Sequence, residues 1–288
     1  MKYYCSDGKY NIVNSRGGEI KGLYEMILKQ PHTMIAGTTG SGKSVILNGL
    51  IMSVLIGHPN ESRLVLLDPK KVELSVYKDM PHVLAYANES SDIADVLEEM
   101  CAEMDSRYRS MERTGKRKFD GHDTYIILDE LADLLTSSEK KRVETSLQRL
   151  MQLGRAAKFH VILATQCPSR QILNAKIMVN VTCAIALHCK TAIESRQILN
   201  VDGAEYLPQY GQCIVSVPGK DVFRTDVYMY TDNEISDMVD YYLAQRTGRN
   251  KTSSAPVMSA DFDYKKIWNS VKTIASVAFL IIFLANVL

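Results

Sequence analysis

The sequence predicts an α/β fold with a mainly parallel central sheet. Short apolar runs that suit buried strands alternate with longer segments whose apolar residues recur at helical spacing. Strands that are apolar on both faces are typical of parallel sheets covered by helices on each side. With 288 residues, 46% of them hydrophobic, the chain can form one large domain or two small ones around a sizeable core.

The predicted strands are short apolar runs that stop at a glycine or a polar residue. After a β-rich lead, the runs typical of buried strands cover 32–37, 63–67, 124–128, 160–165 and 182–188. Two further runs, 210–217 and 222–230, resemble an antiparallel pair. The order therefore predicts a parallel sheet with an antiparallel pair near its end.

The predicted helices alternate with these strands, and the helix over 43–57 has a broad apolar face. They cover residues near 22–29 and the ranges 43–57, 143–157 and 233–245. A longer helix is predicted to begin at Ser91, whose hydroxyl can cap its first turn. Helices at these positions can cover the sheet.

The strongest local signal is a glycine-rich segment between the first buried strand and the helix after it. It matches the pattern GxxxxGK[ST] with the residues Gly37, Thr38, Thr39, Gly40, Ser41, Gly42, Lys43 and Ser44. Glycines let the backbone wrap a phosphate, and successive N–H groups and the helix N-terminus provide positive potential. Lys43 is expected to reach the β- and γ-phosphates of ATP, and Ser44 to offer its hydroxyl to Mg²⁺. The segment therefore predicts a nucleotide site of the Walker A type.

A second signal is the strand TYIIL at 124–128, which ends in Asp129 and Glu130. Paired with the glycine-rich segment upstream, this pattern is typical of a Walker B element. Asp129 is expected to hold the Mg²⁺ shell through water, and Glu130 to orient and polarise the attacking water. The following strand ends just before Gln166. Since ligands of open α/β sheets bind beyond the carboxyl ends of the strands, Gln166 is expected to sense the γ-phosphate.

Seven longer runs follow one another in a distinctive order. They are PHTMIAGTTGSGKSV (31–45), LLDPKKVELSVY (66–77), MPHVL (80–84), EMDSRY (103–108), ILDELADLL (127–135), GRAAKFHVILATQCPS (154–169) and ESRQIL (194–199). In sequence and in order they resemble the motor domain of the FtsK/SpoIIIE family of DNA translocases. The resemblance implies a RecA-like P-loop NTPase core, a ring-shaped homo-oligomer that is typically a hexamer, and ATP-driven movement along double-stranded DNA.

The resemblance also implies roles for single residues. Arg155, in GRAA, falls where the family places an arginine finger, which reaches across a subunit interface to the neighbour's ATP. Arg196, in ESRQIL, and the nearby Lys190 fall in the region of a pore loop that contacts DNA phosphates. Gln166 corresponds to a nucleotide sensor. Cys167 departs from the family, which usually has Arg at this position, and the change removes a potential DNA or phosphate contact.

The net charge bears on how the chain can bind DNA, and the cysteine pattern bears on its redox state. The formal net charge is +1, whereas proteins that coat DNA non-specifically are often strongly basic. DNA binding is therefore expected through a local patch or loop, or through a ring that pools weak contacts. The six cysteines form no CxxC pair and are expected to be reduced thiols of a cytosolic protein.

The C-terminal residues differ in character from the rest of the chain. The uncharged segment 273–288 would cover roughly 24 Å as a helix, and extension back to residue 267 reaches the roughly 30 Å of a bilayer core. Lysines and arginines precede it, which by the positive-inside bias keeps the motor domain in the cytoplasm, tethered to the inner or cell membrane. A buried core helix or an oligomerisation helix is the alternative.

These observations divide the chain into a lead segment (1–30), an ATPase domain (31–247), a linker (248–264) and a candidate transmembrane helix (265–288). We expect a minimal DNA motor, of the kind used in plasmid or conjugative DNA transfer or in partition. Two alternatives stay open: a secretion ATPase that moves proteins, as in type VII systems, and a nucleotide-gated coupling adaptor that has lost turnover.

Overall fold

The structure, a computed structural model, describes residues 2–4, 11–13, 19–169, 172 and 175–246. These residues form one ten-stranded sheet. Its strands are β1 (Lys2–Tyr4), β2 (Asn11–Val13), β3 (His32–Ala36), β4 (Ser62–Leu67), β5 (Val83–Ala87), β6 (Asp123–Leu128), β7 (Phe159–Thr165), β8 (Cys183–Ala186), β9 (Gln212–Ser216) and β10 (Phe223–Asp226).

The strand order across the sheet is β1-β2-β10-β9-β8-β3-β7-β6-β4-β5. The six strands from β8 to β5 in this order run parallel, and β9 runs antiparallel to both β8 and β10. The prediction of an α/β fold with a mainly parallel sheet is confirmed, including the antiparallel pair near its end.

The helices cover both faces of this sheet. They are α1 (Glu19–Leu28), α2 (Lys43–Gly57), α3 (Ser90–Thr114), α4 (Leu131–Leu135), α5 (Lys140–Leu153), α6 (Ala175–Met178), α7 (Ala192–Leu199) and α8 (Asp232–Arg246). Two short 3-10 turns, Ser75–Tyr77 and Ala204–Tyr206, lie in the connections.

Neighbouring residues along a parallel strand are buried on opposite faces. In β3, Met34 and Ala36 pack into the core that includes α3, α4, α5 and α7, whereas Ile35 packs into the core that includes α1, α2 and α8. Because both faces are covered, the strand is apolar along its whole length. The first residues of the chain join the same unit, since β2 pairs with β10 and α1 packs against α2.

Several elements differ from their predicted positions. The helix predicted over 143–157 ends at Leu153, because the chain turns through residues 154–158 to place the fully buried Phe159 at the start of β7. The long helix begins at Ser90, and Glu89, not Ser91, occupies its capping position. Strand β5 and the short helices α4, α6 and α7 were not predicted, because a half-exposed edge strand and helices of four to eight residues carry a weak periodic pattern.

The predicted linker (248–264) and transmembrane helix (265–288) lie outside the described residues. Among the helices that the structure describes, none combines the length and the apolarity that crossing a bilayer requires.

Candidate functional site

The glycine-rich segment forms a tight loop between β3 and α2, as the sequence predicts. Gly40 and Gly42 have φ angles of 76° and 100°, in the left-handed region that favours glycine. Gly37 lies so close to its surroundings that a Cβ atom there would be 2.6 Å from Leu187 Cβ. The loop brings the N-terminus of α2 to the carboxyl edge of the sheet, where backbone amides and the helix dipole favour a phosphate.

Lys43, the first residue of α2, contacts the end of β6 directly. Its Nζ atom donates to the carbonyl oxygen of Asp129 at 2.6 Å and to Asp129 Oδ1 at 2.5 Å. The Oε2 atom of Glu130 lies 3.9 Å from the same Nζ, and all three side chains are buried. The structure thus joins two motifs that lie 86 residues apart in the sequence.

Asp129 is fully buried, and its Oδ2 atom has no hydrogen-bond partner among the described residues. Burial raises the pKa of this carboxyl above its ordinary value, against the opposing effect of Lys43, and repulsion from Asp68 at the end of β4 adds to the rise. A buried carboxylate oxygen without a partner suits a hard cation, and Ser44 supplies a hydroxyl in the first turn of α2. These residues fit the predicted Mg²⁺ site.

Glu130 is held by three donors from two other strand ends. Its Oε1 atom accepts hydrogen bonds from Thr165 Oγ1 at 2.8 Å and from the backbone N–H of Gln166 at 3.1 Å. Its Oε2 atom accepts from Lys70 Nζ at 2.9 Å and from the same Gln166 N–H at 3.2 Å. Burial alone would lower the pKa of Lys70, but its hydrogen bond to Glu130 raises that pKa above the ordinary value.

Gln166 connects the glycine-rich loop to the acid pair. Its backbone N–H donates to Glu130, while its side-chain Oε1 accepts from Thr39 Oγ1 at 2.8 Å. A second amide, Gln209 Nε2, donates to the carbonyl oxygen of Thr39 at 3.4 Å. The structure therefore brings Gln166 together with both motifs, at the edge where the sequence predicts it.

Three residues of this site are missing from the prediction. Asp68 follows the apolar run of β4 just as Asp129 follows that of β6, so an acid at a strand end is the signal that could have identified it. Lys70 lies in the LLDPKKVELSVY run, but nothing local indicates that it faces Glu130. The contact of Thr165 with Glu130 likewise depends on the pairing of β6 with β7.

Arg155 lies at the opposite edge of the sheet. It is exposed in the turn before β7, and its side chain forms no hydrogen bond or ion pair with the described residues. The seven residues of β7 span about 23 Å at 3.3 Å per residue, and the glycine-rich loop lies beyond their far end. The structure therefore does not bring Arg155 to the nucleotide loop of its own chain.

A buried arginine supports the turn that carries Arg155. Arg107, in α3, is 2% exposed, and its Nη1 atom donates to the carbonyl oxygen of Ala157 at 2.9 Å. Its guanidinium lies over the rings of Phe119 and Phe159, 4.6 Å and 4.3 Å from their centres. Arg107 therefore holds the buried side of the turn in place, while Arg155 faces solvent.

Lys190 lies just before α7 and Arg196 in the last turn of this helix, and both are exposed. The Nη1 atom of Arg196 forms an ion pair with Asp202 Oδ1 at 2.6 Å. Two residues before Lys190, the carbonyl oxygen of His188 accepts from the backbone N–H of Thr38 at 2.9 Å and from Thr38 Oγ1 at 3.1 Å. The segment predicted to contact DNA therefore adjoins the glycine-rich loop directly.

Comparison with known sequences decides the family. The model of the FtsK/SpoIIIE family matches residues 13–127 and 122–170, which together are more than half of the chain. The chain belongs to the FtsK/SpoIIIE family. The resemblance identified from the sequence runs is therefore confirmed.

Two FtsK/SpoIIIE relatives show what share of a family member's length this chain covers. The DNA translocase FtsK of Listeria monocytogenes is 34% identical over 272 residues, covering 87% of this chain and 36% of the relative. The DNA translocase SpoIIIE of Bacillus subtilis is 34% identical over 250 residues, covering 79% of this chain and 32% of SpoIIIE. The chain spans about a third of the length of these relatives.

Solved structures share the fold at lower identity. The conjugation coupling protein TcpA of pCW3, in its monomer form with ATPγS, superposes with a TM-score of 0.67 at 21% identity, covering 76% of this chain and 66% of TcpA. The cytoplasmic domain of the type VII secretion ATPase EccC of Thermomonospora curvata gives a TM-score of 0.61 at 22% identity, covering 78% of this chain and 28% of EccC. Both likenesses support the α/β architecture of the FtsK/SpoIIIE core.

Proposed function

We propose that this member of the FtsK/SpoIIIE family is an ATPase that moves double-stranded DNA, working as a homo-oligomeric ring that we expect to be a hexamer. The observation that carries the proposal is the junction of Lys43, Asp129 and Glu130 at the carboxyl edge of the sheet. Relatives named DNA translocase support DNA as the substrate. Plasmid or conjugative DNA transfer, or partition, is the context we propose.

ATP binding falls to the loop from Gly37 to Ser44. Its glycines leave room for the phosphate oxygens, and Lys43 exchanges Asp129 for the β- and γ-phosphates. Ser44 and Asp129 would hold Mg²⁺, which when bound neutralises charge on those phosphates. The cofactor requirement of this site is therefore ATP together with Mg²⁺.

Glu130 is the proposed general base. Its carboxylate orients a water molecule in line with the γ-phosphorus and accepts the proton of that water, while ADP leaves with the bridging oxygen. Gln166 lies between Glu130 and the glycine-rich loop, so its side chain is well placed to sense the γ-phosphate.

Arg155 is proposed to complete the site of a neighbouring subunit. It is exposed, unpaired among the described residues and about 23 Å from its own nucleotide edge, which suits a role in trans. A guanidinium that reaches the neighbour's γ-phosphate stabilises the charge of the transition state. Hydrolysis would then depend on assembly of the ring.

DNA contact is proposed for Lys190 and Arg196. Both are exposed, and their segment touches the glycine-rich loop through His188 and Thr38, which offers a short route between nucleotide and DNA. A single chain has a net charge of only +1, so each subunit supplies few phosphate contacts. A ring adds these contacts together, and binding is expected to weaken steeply with salt.

For the residues outside the described part we retain the division proposed from the sequence. The lead (1–30) and ATPase domain (31–247) are followed by a linker (248–264) and an apolar helix (265–288) that we propose as a membrane tether. Its apolar length, with lysines before it, supports this proposal and a cytoplasmic motor domain.

The test is the steady-state ATPase rate of the full chain, in a mild detergent, with and without long double-stranded DNA. We expect a large stimulation by DNA that falls as the salt concentration rises. Lys43→Ala is expected to abolish turnover at every DNA concentration, since it removes the contact with the β- and γ-phosphates. Unchanged turnover in that variant would contradict the P-loop assignment.

Two other outcomes support the alternatives. ATP hydrolysis that ignores DNA but responds to a peptide would favour a secretion ATPase, a reading supported by the structural likeness to EccC. A Glu130→Gln variant that keeps its cellular function would favour a nucleotide-gated adaptor, because a motor needs the base and an adaptor does not.

A further inference from the structure

Both carboxylate oxygens of Glu130 accept hydrogen bonds in this structure. Thr165 and the N–H of Gln166 hold Oε1, and Lys70 and the same N–H hold Oε2, all within 3.2 Å. Lys43 lies 3.9 Å from Oε2 on the remaining side. A general base needs an open acceptor position, and the Lys70 ammonium occupies one on Oε2 that an attacking water could otherwise use.

The donors differ in how easily they can withdraw. Thr165 is the last residue of the central strand β7, where it pairs with Ala36 of β3, and Gln166 follows it directly. Lys70 lies on the connection after β4, and its side chain is 35% exposed while that of Glu130 is 2% exposed. A long lysine side chain with access to water can rotate away without opening the core.

The backbone around Lys70 is well anchored. Asp68 Oδ2 accepts from the N–H of Leu74 at 3.0 Å, and the carbonyl oxygen of Asp68 accepts from the backbone N–H of Lys71 at 3.0 Å. The segment therefore presents the Lys70 side chain to Glu130 from a defined position. Movement of the ammonium group alone is enough to make or break the contact.

We infer that Lys70 is a positioning residue that latches Glu130 and restrains ATP hydrolysis until a stimulating ligand, which is DNA under the proposed function, makes it withdraw. The inference rests on the proposed role of Glu130 as the base. While Lys70 donates to Oε2, it competes with the attacking water for this oxygen, and hydrolysis is slow. When Lys70 withdraws, Oε2 opens toward the γ-phosphate and the water can be deprotonated.

The test is the Lys70→Met variant, which keeps most of the apolar stem and removes the ammonium group. Without DNA, kcat is expected to rise by about tenfold, the effect of losing one charge-assisted hydrogen bond on the rate. The KM for ATP and the DNA-saturated kcat are expected to stay at the wild-type values. Lys70→Arg, which can rebuild the pair, is expected to keep the low DNA-free rate.

Lys71→Met is the matched control, because Lys71 is the next residue and pairs with the exposed Glu89. It is expected to leave the rates with and without DNA unchanged. A thermal unfolding curve shows whether methionine disturbs the fold. If it does, Lys70→Gln, which is neutral and shorter, is expected to raise the DNA-free kcat in the same way.

The inference is overturned if the Lys70 variants hydrolyse ATP without DNA no faster than wild type, or if they raise KM, as a direct phosphate contact would. Failure of the proposed function is seen separately, as an ATPase rate of the wild-type protein that DNA does not raise. If DNA does not stimulate wild type but Lys70→Met still raises the DNA-free rate, the latch stands and the DNA motor does not.

Discussion

The two edges of the parallel sheet present their charged side chains in opposite ways. At the carboxyl edge, Lys43, Asp129 and Glu130 are buried and bonded to one another or to neighbouring strands. At the amino edge, Arg155 is exposed and unpaired among the described residues, above the buried and fully engaged Arg107. The charges of the carboxyl edge therefore find their partners within one chain, whereas Arg155 at the amino edge is free for the contact with a neighbouring subunit that we propose.

Physical chemistry explains why each edge takes its form. Buried charges are tolerated only when they are paired and hydrogen-bonded, so the carboxyl edge must supply its own partners. An exposed guanidinium stays hydrated and needs none. A rigid support such as Arg107 reduces the conformational freedom that docking would otherwise remove, and so favours contact with a partner.

The largest expected effect at the amino edge follows Arg155→Ala. We expect ATP binding to be retained and hydrolysis to fall by about a thousandfold, in the range known for arginine fingers. Nucleotide binding and steady-state turnover measure the two quantities. Mixing this variant with Glu130→Gln is expected to recover activity, since in mixed rings a Glu130→Gln neighbour supplies the missing arginine.

Arg149→Ala is the matched control, because Arg149 is also exposed and lies in α5, just before the turn, but pairs with Asp105 of its own chain. Its turnover is expected to match wild type. An Arg155→Ala protein that hydrolyses ATP normally would show that the two edges do not cooperate across subunits.

A smaller effect is expected when the support is removed by Arg107→Met. The change leaves the carbonyl oxygen of Ala157 and the hydroxyl of Thr124 without their donor and removes a buried charge from its partners. Each buried acceptor that loses its donor costs about 1–3 kcal/mol of unfolding free energy. Urea unfolding measures this free energy. Arg109→Met, at an exposed arginine, is the control and is expected to stay within about 0.5 kcal/mol of wild type. A similar stability in both variants would contradict the role of Arg107 as a support.

The smallest expected effect concerns pH and arises from His32, at the amino end of β3. Burial, together with repulsion from His160, lowers the pKa of His32 to about 4, and its Nδ1 atom accepts from the N–H of Val161 at 3.2 Å. The unfolded chain binds this proton near pH 6.5, so stability is retained above about pH 6.5 and is lost as the pH falls toward 4.

For His32 we expect a loss of about 2 kcal/mol between pH 7.5 and pH 5, measured by urea unfolding at each pH. His32→Gln, which cannot titrate, is expected to be less sensitive to pH in this window by that amount. An equal dependence in both proteins would mean that His32 is not the group responsible.

Much of the carboxyl edge can be predicted because its signals are local. Gly37 to Ser44 lie between a strand and a helix, and Asp129 and Glu130 follow an apolar run, so spacing alone places them at strand ends. The same rule applied to Asp68 would have added a further acid. By contrast, the end of α5 at Leu153 was missed, because the burial of Phe159 decides where the chain must turn.

By itself, the sequence determined the α/β class, the glycine-rich loop and the residues that end each strand, because these depend on neighbours within a few positions. Only the tertiary structure decided that Lys70 bonds to Glu130, that Arg107 lies under the Arg155 turn, and that the two arginines occupy the edge opposite to Lys43. The first two contacts join residues 60 and 50 positions apart, and the third arrangement follows from which strands pair. Strand order is set by the packing of the whole core on both faces of the sheet, and no local pattern encodes it.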